Sequence, residues 1–468
     1  MIVTNDLDFP ELLAHTAHRK PSVIPLRGQS PTPELRSEAL ILAVESCTDE
    51  FANPAITEIT HPRNHSDKMR AGDLPHMSSF DRRTILKTAL STSTAFAYQA
   101  SSAVRFGIIG TGGRGQYVGT LMAKDPNARV TAVCDPYPDR IDAAKTKIPG
   151  AADAKTYRDY RDLLNDKDID AVLIATPVYL HPEHFEAAVL ARKHIYCEKP
   201  AGVDVAGCKR ILAAWEKRDP SKRLQFGFQQ RFSSQYRKAH GYLNGGRIGD
   251  MKLMVSYWVL GYLHPTVDNG PYRDALPEVQ KVRRWGNWTS LSGGPIVEQD
   301  CHGIDTINWF AKDAHPISAT GRGGLRFPVP YGDWTTDHHD VIYQYPGGLE
   351  GWLISIKHTA GYRDVKEQFY GAKGMLETSR SYMKLHGMTP DVRYKSADDL
   401  RDTSLMEKEE SISDITGEAT MAFFKGVIAG EALDMTKTSV ESTLTAILGR
   451  MAIDSKREVT WDQMMRSA

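Results

Sequence analysis

The segment Val104-Arg-Phe-Gly-Ile-Ile-Gly-Thr-Gly-Gly-Arg-Gly115 constrains the fold of this chain more than any other. Its apolar first half is typical of a short buried strand, and a helical pattern follows its glycines. In this G-x-G-x-x-G arrangement the first glycine allows a tight turn, the second lets the backbone approach a pyrophosphate, and the third lets the helix pack close to the sheet. The first N–H groups of the helix then face the anion. The candidate cofactor-binding residues of this loop are Gly110, Gly112, Gly113, Arg114 and Gly115.

A carboxylate follows at the spacing that a dinucleotide-binding unit requires. The apolar run Val130-Thr-Ala-Val-Cys134 ends in Asp135, about 20 residues after the glycine loop. A carboxylate at this point accepts a hydrogen bond from the ribose 2′-hydroxyl of NAD and repels the 2′-phosphate of NADP. The sequence therefore predicts NAD as the cofactor, with NADP less favoured.

Charge and hydropathy exclude several classes of protein. The 468 residues include 58 basic and 58 acidic side chains, without a long basic run, so no nucleic-acid partner is predicted. Mean hydropathy is −0.41, and no apolar run approaches the ~20 residues that span a bilayer. The 5 cysteines lack metal-ligand spacing. His338, His339 and Asp340 are consecutive, but neighbours on a strand face opposite ways, so no metal site is predicted.

The first hundred residues differ in composition from the rest. Residues 1–76 are rich in Pro, His, Ser and Thr, which is typical of a disordered extension, and Met77 is a candidate start. Within residues 77–102, Arg82 and Arg83 precede a mildly apolar stretch and Ala95-x-Ala97. This pattern resembles a twin-arginine export signal. It predicts a periplasmic protein that leaves the cell with its cofactor bound, or a cytoplasmic one if the signal is not read.

The remainder predicts two domains. Residues 103–228 alternate short apolar runs with helical patterns, which favours a doubly wound parallel α/β sheet of the Rossmann type. Residues 229–468 contain consecutive strand patterns with tight turns, and a helical pattern covers residues 419–450. We expect an α+β domain with a large, mainly antiparallel open sheet.

Four further motifs carry a family resemblance. Each of the first three follows a predicted strand, and the last opens a helix: Thr176-Pro177 with His181, Glu198-Lys199-Pro200, Gly227-Phe-Gln229-Gln-Arg231, and Gly293-Gly294-Pro-Ile-Val-Glu298-Gln-Asp-Cys-His302-Gly-Ile-Asp305. With the glycine loop they resemble the glucose–fructose oxidoreductase / inositol dehydrogenase / rhizopine-catabolism (Gfo/Idh/MocA) family over roughly residues 103–465. The resemblance implies an NAD-dependent oxidoreductase acting on a secondary hydroxyl of a sugar, cyclitol or glycoside. It also implies a homo-oligomer, a dimer or tetramer, that packs through the second domain's sheet.

The resemblance names Lys199 and His302 as the pair that performs proton chemistry. Dehydrogenation of an alcohol needs a base, a cation at the developing alkoxide and a hydride acceptor. Imidazole titrates near neutrality and suits His302 to acid–base work, while Lys199 can hold the hydroxyl. Glu298 can orient His302 or bind a sugar hydroxyl. Thr176, Pro177, His181, Glu198 and Lys199 are the further candidates for cofactor binding, and Gln229, Arg231 and Asp305 those for substrate binding.

Two other functions stay open at this level. An NAD-dependent glycosidase would oxidise a sugar transiently, eliminate the aglycone and reduce the sugar again. A cofactor-loaded sugar-binding protein would bind without turnover. The Glu-Lys-Pro element and His302 both favour the dehydrogenase.

Overall fold

A computed structural model describes residues 103–260, 277–327, 332–358, 361–387 and 404–468. The predicted extension 1–76 and the signal segment 77–102 lie outside these residues. All of the described residues fall within one compact unit. Among the described residues, no helix has both the length and the apolar character needed to cross a membrane.

The first layer is a six-stranded sheet with the order β3-β2-β1-β4-β5-β6, and all of its pairs are parallel. This is the Rossmann order, so the predicted doubly wound sheet is confirmed. The strand β3 is short and exposed, and it had no apolar pattern to reveal it. The strands are β1 Val104–Ile109, β2 Ala128–Cys134, β3 Lys155–Tyr157, β4 Ala171–Ile174, β5 His194–Cys197 and β6 Leu224–Phe226.

Helices connect these strands and cover the sheet. Asp204 caps α5 by accepting a hydrogen bond from the Gly207 N–H at 2.7 Å, as its position before an apolar helix predicts. The helices of this layer are α1 Gly113–Met122, α2 Pro138–Lys147, α3 Tyr160–Asn165, α4 His181–Leu190 and α5 Val205–Trp215. Each returns the chain to the next parallel strand.

The second layer is a nine-stranded sheet with the order β14-β13-β12-β11-β7-β10-β9-β8-β15. Its pairs are antiparallel except β7 with β10, so the predicted mainly antiparallel sheet is confirmed. The strands are β7 Met251–Val259, β8 Ser318–Gly324, β9 His338–Gln344, β10 Glu350–Ile356, β11 Asp364–Gly371, β12 Gly374–Ser379, β13 Tyr382–Gly387, β14 Leu405–Glu410 and β15 Val459–Thr460.

The second half of the chain also contributes the remaining helices. The helix predicted over residues 419–450 is in fact two helices, because the chain turns at Gly430, which has φ 66°. The first of the two packs Phe423 and Phe424 into the apolar core around β1. The helices are α6 Ser234–Asn244, α7 Pro277–Arg283, α8 Thr289–Ser292, α9 Cys301–Phe310, α10 Ile415–Ile428, α11 Thr436–Ser455 and α12 Trp461–Met465.

Candidate active site

A cleft of about 540 Å³ opens at the carboxyl ends of β1, β2 and β4. This is the edge at which open parallel sheets bind ligands. Of the predicted cofactor-binding residues, the cleft is lined by Gly110, Gly112, Gly113, Asp135, Thr176 and Pro177.

Gly110 and Gly115 meet the steric constraints expected of them. Gly110 has φ 90°, and a Cβ there would lie 2.7 Å from the Thr176 nitrogen. A Cβ on Gly115 would lie 2.0 Å from the Gly110 carbonyl oxygen, so this glycine permits the close packing of α1 on the sheet. Around Gly112 a Cβ would meet no atom within 4 Å, and no side chain caps α1. The residues present therefore fit a dinucleotide phosphate at this helix terminus.

Asp135 is held rigidly at the edge of the cleft. Its carboxylate accepts hydrogen bonds from the N–H of Thr111 at 2.9 Å and of Tyr137 at 3.0 Å. Burial raises the pKa of Asp135, although these bonds oppose the shift. The remaining lone pairs can accept from a ribose hydroxyl.

The segment after β7 contributes the opposite wall of the cleft. Val282, Arg283 and Trp285 line it, although they are far in sequence from the glycine loop. The Arg283 side chain is only 7% exposed, and its guanidinium lies 3.8 Å from the ring centroid of Tyr137. The role of Arg283 cannot be read from local sequence patterns, because its partners lie far away in the chain.

His184 also lines the cleft and was not predicted. Its Nδ1 lies 3.1 Å from the Thr176 hydroxyl, and its ring stands 4.2 Å from that of Tyr160. Burial lowers the pKa of His184 to about 4. The ring is therefore neutral at physiological pH.

His181 is buried and does not line the cleft. Its Nδ1 lies 2.7 Å from the Pro200 carbonyl oxygen and its Nε2 lies 2.9 Å from that of Thr176. With both ring nitrogens occupied, it joins the loop after β4 to the loop after β5. The geometry gives His181 a positioning role and no direct contact with a ligand in this cleft.

Lys199 meets Glu298 across the two layers. The Lys199 Nζ lies 3.0 Å from Oε1 of Glu298 and also donates to the Glu298 carbonyl oxygen. Burial opposes the charge of Lys199, but the Glu298 carboxylate outweighs it, so the pKa of the ammonium is raised. Lys199 therefore stays protonated and can donate a hydrogen bond to an oxygen.

Glu298 lies in a π-helical turn, Ile296–Asp300, that leads into α9. Such turns occur often at functional sites because they re-aim side chains. Gln299 also donates to the Glu298 carboxylate, at 2.5 Å. The orienting partner of His302 is not Glu298, as one expectation had it, but Gln230, whose Oε1 lies 3.1 Å from the His302 Nδ1.

His302 is enclosed by aromatic rings. Trp258 stacks on it with centroids 5.5 Å apart and planes 11° apart, and only 5% of the residue is exposed. Burial lowers the pKa of His302 well below the ordinary value, and the charges of Lys199, Arg380 and Arg114 lower it further. The expectation that this ring titrates near neutrality is corrected, because the ring is uncharged there.

Glu198 and Arg114 form an ion pair at 2.9 Å beneath the glycine loop. Arg114 also donates to Oε1 of Gln229 at 3.2 Å, and that oxygen accepts from Thr416 at 2.8 Å. Glu198 is only 3% exposed, and Gln229 is equally buried. These residues support the candidate active site by bonding to one another.

Arg231 and Asp305, predicted to bind substrate, bind each other. Arg231 donates to the two carboxylate oxygens at 2.8 and 2.9 Å, and Ser442 donates to Asp305 at 2.7 Å. Asp305 is fully buried. Because the Asp305 oxygens are engaged by the chain itself, the pair joins the turn after β6 to α9 and does not face a ligand.

The helix α11 supports both halves of the site. The Thr443 hydroxyl accepts from the Ala201 N–H at 3.0 Å, just after Lys199. Arg450 donates to the Val203 carbonyl at 3.0 Å and to the Gly293 carbonyl at 2.8 Å, just before the turn that holds Glu298. The two loops that carry the candidate catalytic residues are thus bonded to one helix.

The consecutive histidines of β9 bind different partners. His339 Nε2 lies 2.6 Å from Asp300, which also binds the buried Lys357, and His338 Nδ1 lies 2.7 Å from Asp337. Within the described ranges, no three His, Cys, Asp or Glu side chains are grouped as metal ligands.

The fold and the cleft define a dinucleotide-binding oxidoreductase. The sequence model of the Gfo/Idh/MocA family, described as an oxidoreductase family with an NAD-binding Rossmann fold, matches residues 104–228. Inositol 2-dehydrogenase of Salmonella paratyphi B is 35% identical over 280 residues, which cover 58% of this chain and 73% of that protein. The chain belongs to the Gfo/Idh/MocA family of NAD-dependent oxidoreductases, which act on CH–OH groups.

Solved structures share the fold. Scyllo-inositol dehydrogenase from Lactobacillus casei, with bound NAD(H) and scyllo-inositol, aligns with a TM-score of 0.58 at 22% identity over 77% of this chain and 99% of that one. Levoglucosan dehydrogenase, in complex with NADH and levoglucosan, aligns with a TM-score of 0.63 at 17% identity over 77% and 100% of the two chains.

Proposed function

We propose that this chain oxidises a secondary hydroxyl of a cyclic polyol, sugar or glycoside and passes the hydride to NAD. The observation that carries the proposal is the meeting of Lys199 with Glu298, close enough to His302 for the ammonium charge to lower that ring's pKa. The names of its relatives, inositol 2-dehydrogenase and levoglucosan dehydrogenase, support a cyclic substrate rich in hydroxyl groups.

The chemistry divides between the two basic side chains. Lys199, kept protonated by Glu298, donates to the substrate oxygen and stabilises the developing alkoxide. His302 donates through Nδ1 to Gln230, which leaves Nε2 to take the hydroxyl proton. NAD supplies the hydride acceptor when bound. Low exposure of both side chains keeps water away from the reacting carbon.

We propose NAD as the preferred cofactor because Asp135 would repel a 2′-phosphate. Binding of NAD and NADP measured by calorimetry tests this. We expect tighter binding of NAD, and an Asp135→Ser variant should lose most of the preference. Equal affinities in the unmodified protein would contradict the assignment.

The experiment that tests the function combines native mass spectrometry with a substrate panel. The purified protein is examined for bound NAD, then incubated with NAD and inositols, levoglucosan, hexoses and aryl glycosides while absorbance at 340 nm is recorded. NADH production from a polyol supports the proposal. Aglycone release without net NADH would instead establish the glycosidase, and binding without either reaction would establish a sugar-binding protein.

Two further proposals concern location and assembly. The Arg82-Arg83 pair supports export with the cofactor bound, and replacement of both by lysine should retain the protein in the cytoplasm.

On the outer face of the second sheet, Trp352 is 37% exposed and Ile342 and Ile354 are half-buried, which supports a homodimer through this face. Light scattering of the protein and of a Trp352→Glu variant tests the dimer.

A further inference from the structure

Arg380 brings a positive charge to the candidate active site from the turn between β12 and β13. Its guanidinium carbon lies 5.5 Å from the ring centroid of Trp258, the same indole that stacks on His302. Arg380 also lines a cavity of about 360 Å³ together with Arg114 and Gln229. The side chain is exposed and reaches the site from the solvent side.

The other cations near this site each have a carboxylate partner. Lys199 binds Glu298, Arg114 binds Glu198, Lys357 binds Asp300 and Arg231 binds Asp305. In the part of the chain that the structure describes, no carboxylate lies within ion-pair distance of Arg380.

Glu367 is the buried carboxyl group on which Arg380 acts, but it does not serve as a counter-ion. Its Oε2 accepts from the Tyr236 hydroxyl at 2.9 Å and from Thr378 at 3.0 Å. Burial raises the pKa of Glu367 to about 7, so a large part of the population is neutral near physiological pH. The charge of Arg380 is thus left for something that enters the site.

The electrostatic field at His302 is also positive. Lys199, Arg380 and Arg114 all disfavour a positive charge on the ring. Oxidation places a further positive charge there, because His302 accepts the hydroxyl proton. An anionic group on the substrate would offset this cost, and a guanidinium is the side chain best shaped to bind a carboxylate or phosphate through two hydrogen bonds.

We infer that the substrate is an acidic polyol or sugar whose carboxylate or phosphate binds Arg380 while its hydroxyl lies between Lys199 and His302. The inference deepens the proposed function and rests on it. Arg380 would then determine specificity, because it would bind the anionic group at the rim of a pocket whose other contacts recognise hydroxyl groups.

The test compares matched pairs of substrates. Glucose is compared with glucuronate and with glucose 6-phosphate, and myo-inositol with its monophosphates, by kcat/KM in the unmodified protein and in Arg380→Gln. We expect the anionic member of a pair to be preferred by at least about tenfold, and Arg380→Gln to remove the preference through KM with little change in kcat. Arg380→Lys should restore it in part. The carboxylate and phosphate arms identify which anion is used.

Arg129→Gln serves as the matched control, since Arg129 is exposed at the start of β2, at the end of the sheet opposite the cleft. Equal kcat/KM for acidic and neutral substrates, or a preference that survives Arg380→Gln, would overturn the inference. A loss in Arg380→Gln that is confined to the affinity for NAD would also overturn the inference. Calorimetry of sugar binding without turnover separates the two proposals. Selective binding of acidic sugars that requires Arg380 but yields no NADH would contradict the dehydrogenase function and support the anion site.

Discussion

Arg283 holds Asp139 through two hydrogen bonds, at 2.7 and 2.9 Å, across the mouth of the dinucleotide cleft. The guanidinium also covers the ring of Tyr137. Arg283 follows the second-layer strand β7 in the chain, whereas Asp139 and Tyr137 follow β2 of the Rossmann sheet. The contact therefore joins the β2 side of the cleft to a residue from a distant part of the sequence.

We predict that Arg283→Ala accelerates NAD dissociation by about tenfold, because a bidentate ion pair and a stacked cation are lost together. Native mass spectrometry after timed dialysis, or stopped-flow displacement of NADH, measures the rate. Arg129→Ala is the control. Unchanged dissociation in Arg283→Ala would show that the contact does not retain the cofactor.

Lys199→Ala should lower turnover by about 10²- to 10³-fold while NAD remains bound, since it removes the donor to the developing alkoxide. Steady-state kinetics with calorimetry of NAD binding separate the two effects. Lys167→Ala, at an exposed position, should leave both unchanged. Full turnover in Lys199→Ala would remove this residue from the mechanism.

Glu367→Gln should stabilise the protein at alkaline pH. The folded pKa of about 7 lies above the unfolded value of 4.5, so the native state binds more protons between these values and the stability contributed by Glu367 is lost as pH rises through 7. Glutamine does not titrate and can donate to the Ser256 hydroxyl, which lacks a partner among the described residues. We expect a gain of about 3 kcal/mol at pH 8 and below about 1 kcal/mol at pH 5.

Urea unfolding at the two pH values measures this difference. Glu377→Gln on the next strand is the control with the opposite sign, because Lys384 and other donors outweigh burial there and lower the pKa of that carboxyl. A Glu367→Gln variant whose stability relative to the unmodified protein is the same at pH 5 and pH 8 would show that Glu367 is ionised throughout.

Asp305→Asn should destabilise the fold by about 3 kcal/mol, because it leaves Arg231, whose side chain is only 11% exposed, with a single, partly exposed carboxylate. Denaturant unfolding measures the loss. The double variant with Arg231→Met should lose less than the sum of the single variants. Normal stability with a raised KM would instead return Asp305 to the substrate-binding role first expected of it.

Local patterns were enough to predict the elements that place the cofactor. The apolar runs of β1 and β2, the glycine loop between them and Asp135 all lie within one short segment, so spacing alone brings them together. The spacing of Glu298 and His302 predicts one shared helix face, but their partners, Lys199 and Gln230, come from elsewhere in the chain. The parallel pairing of β7 with β10 cannot be predicted from a local pattern, because the two strands lie far apart in the chain.

Long-range partners explain the remaining differences. Arg231 and Asp305 each looked available to a ligand, and only the fold shows that they bind each other. Arg283 and Arg380 have no motif around them, and the motif that contains Gln230 does not reveal its partner. What gives each a role is a neighbour more than 70 residues away for Gln230 and over 100 for the two arginines. Burial likewise decides the charge of His302, and a sequence does not display burial residue by residue.

The support of both catalytic loops by α11 bears on how the enzyme can move. Since Ala201, Val203 and Gly293 are all bonded to this helix, the ammonium and the carboxylate cannot swing apart by rotation of one layer against the other without breaking those bonds. We therefore expect the reacting geometry to persist throughout the catalytic cycle. Opening and closing would then require movement of peripheral elements such as α7, which ends in Arg283. The rate of that movement, rather than the rate of a hinge motion between the layers, would limit cofactor exchange.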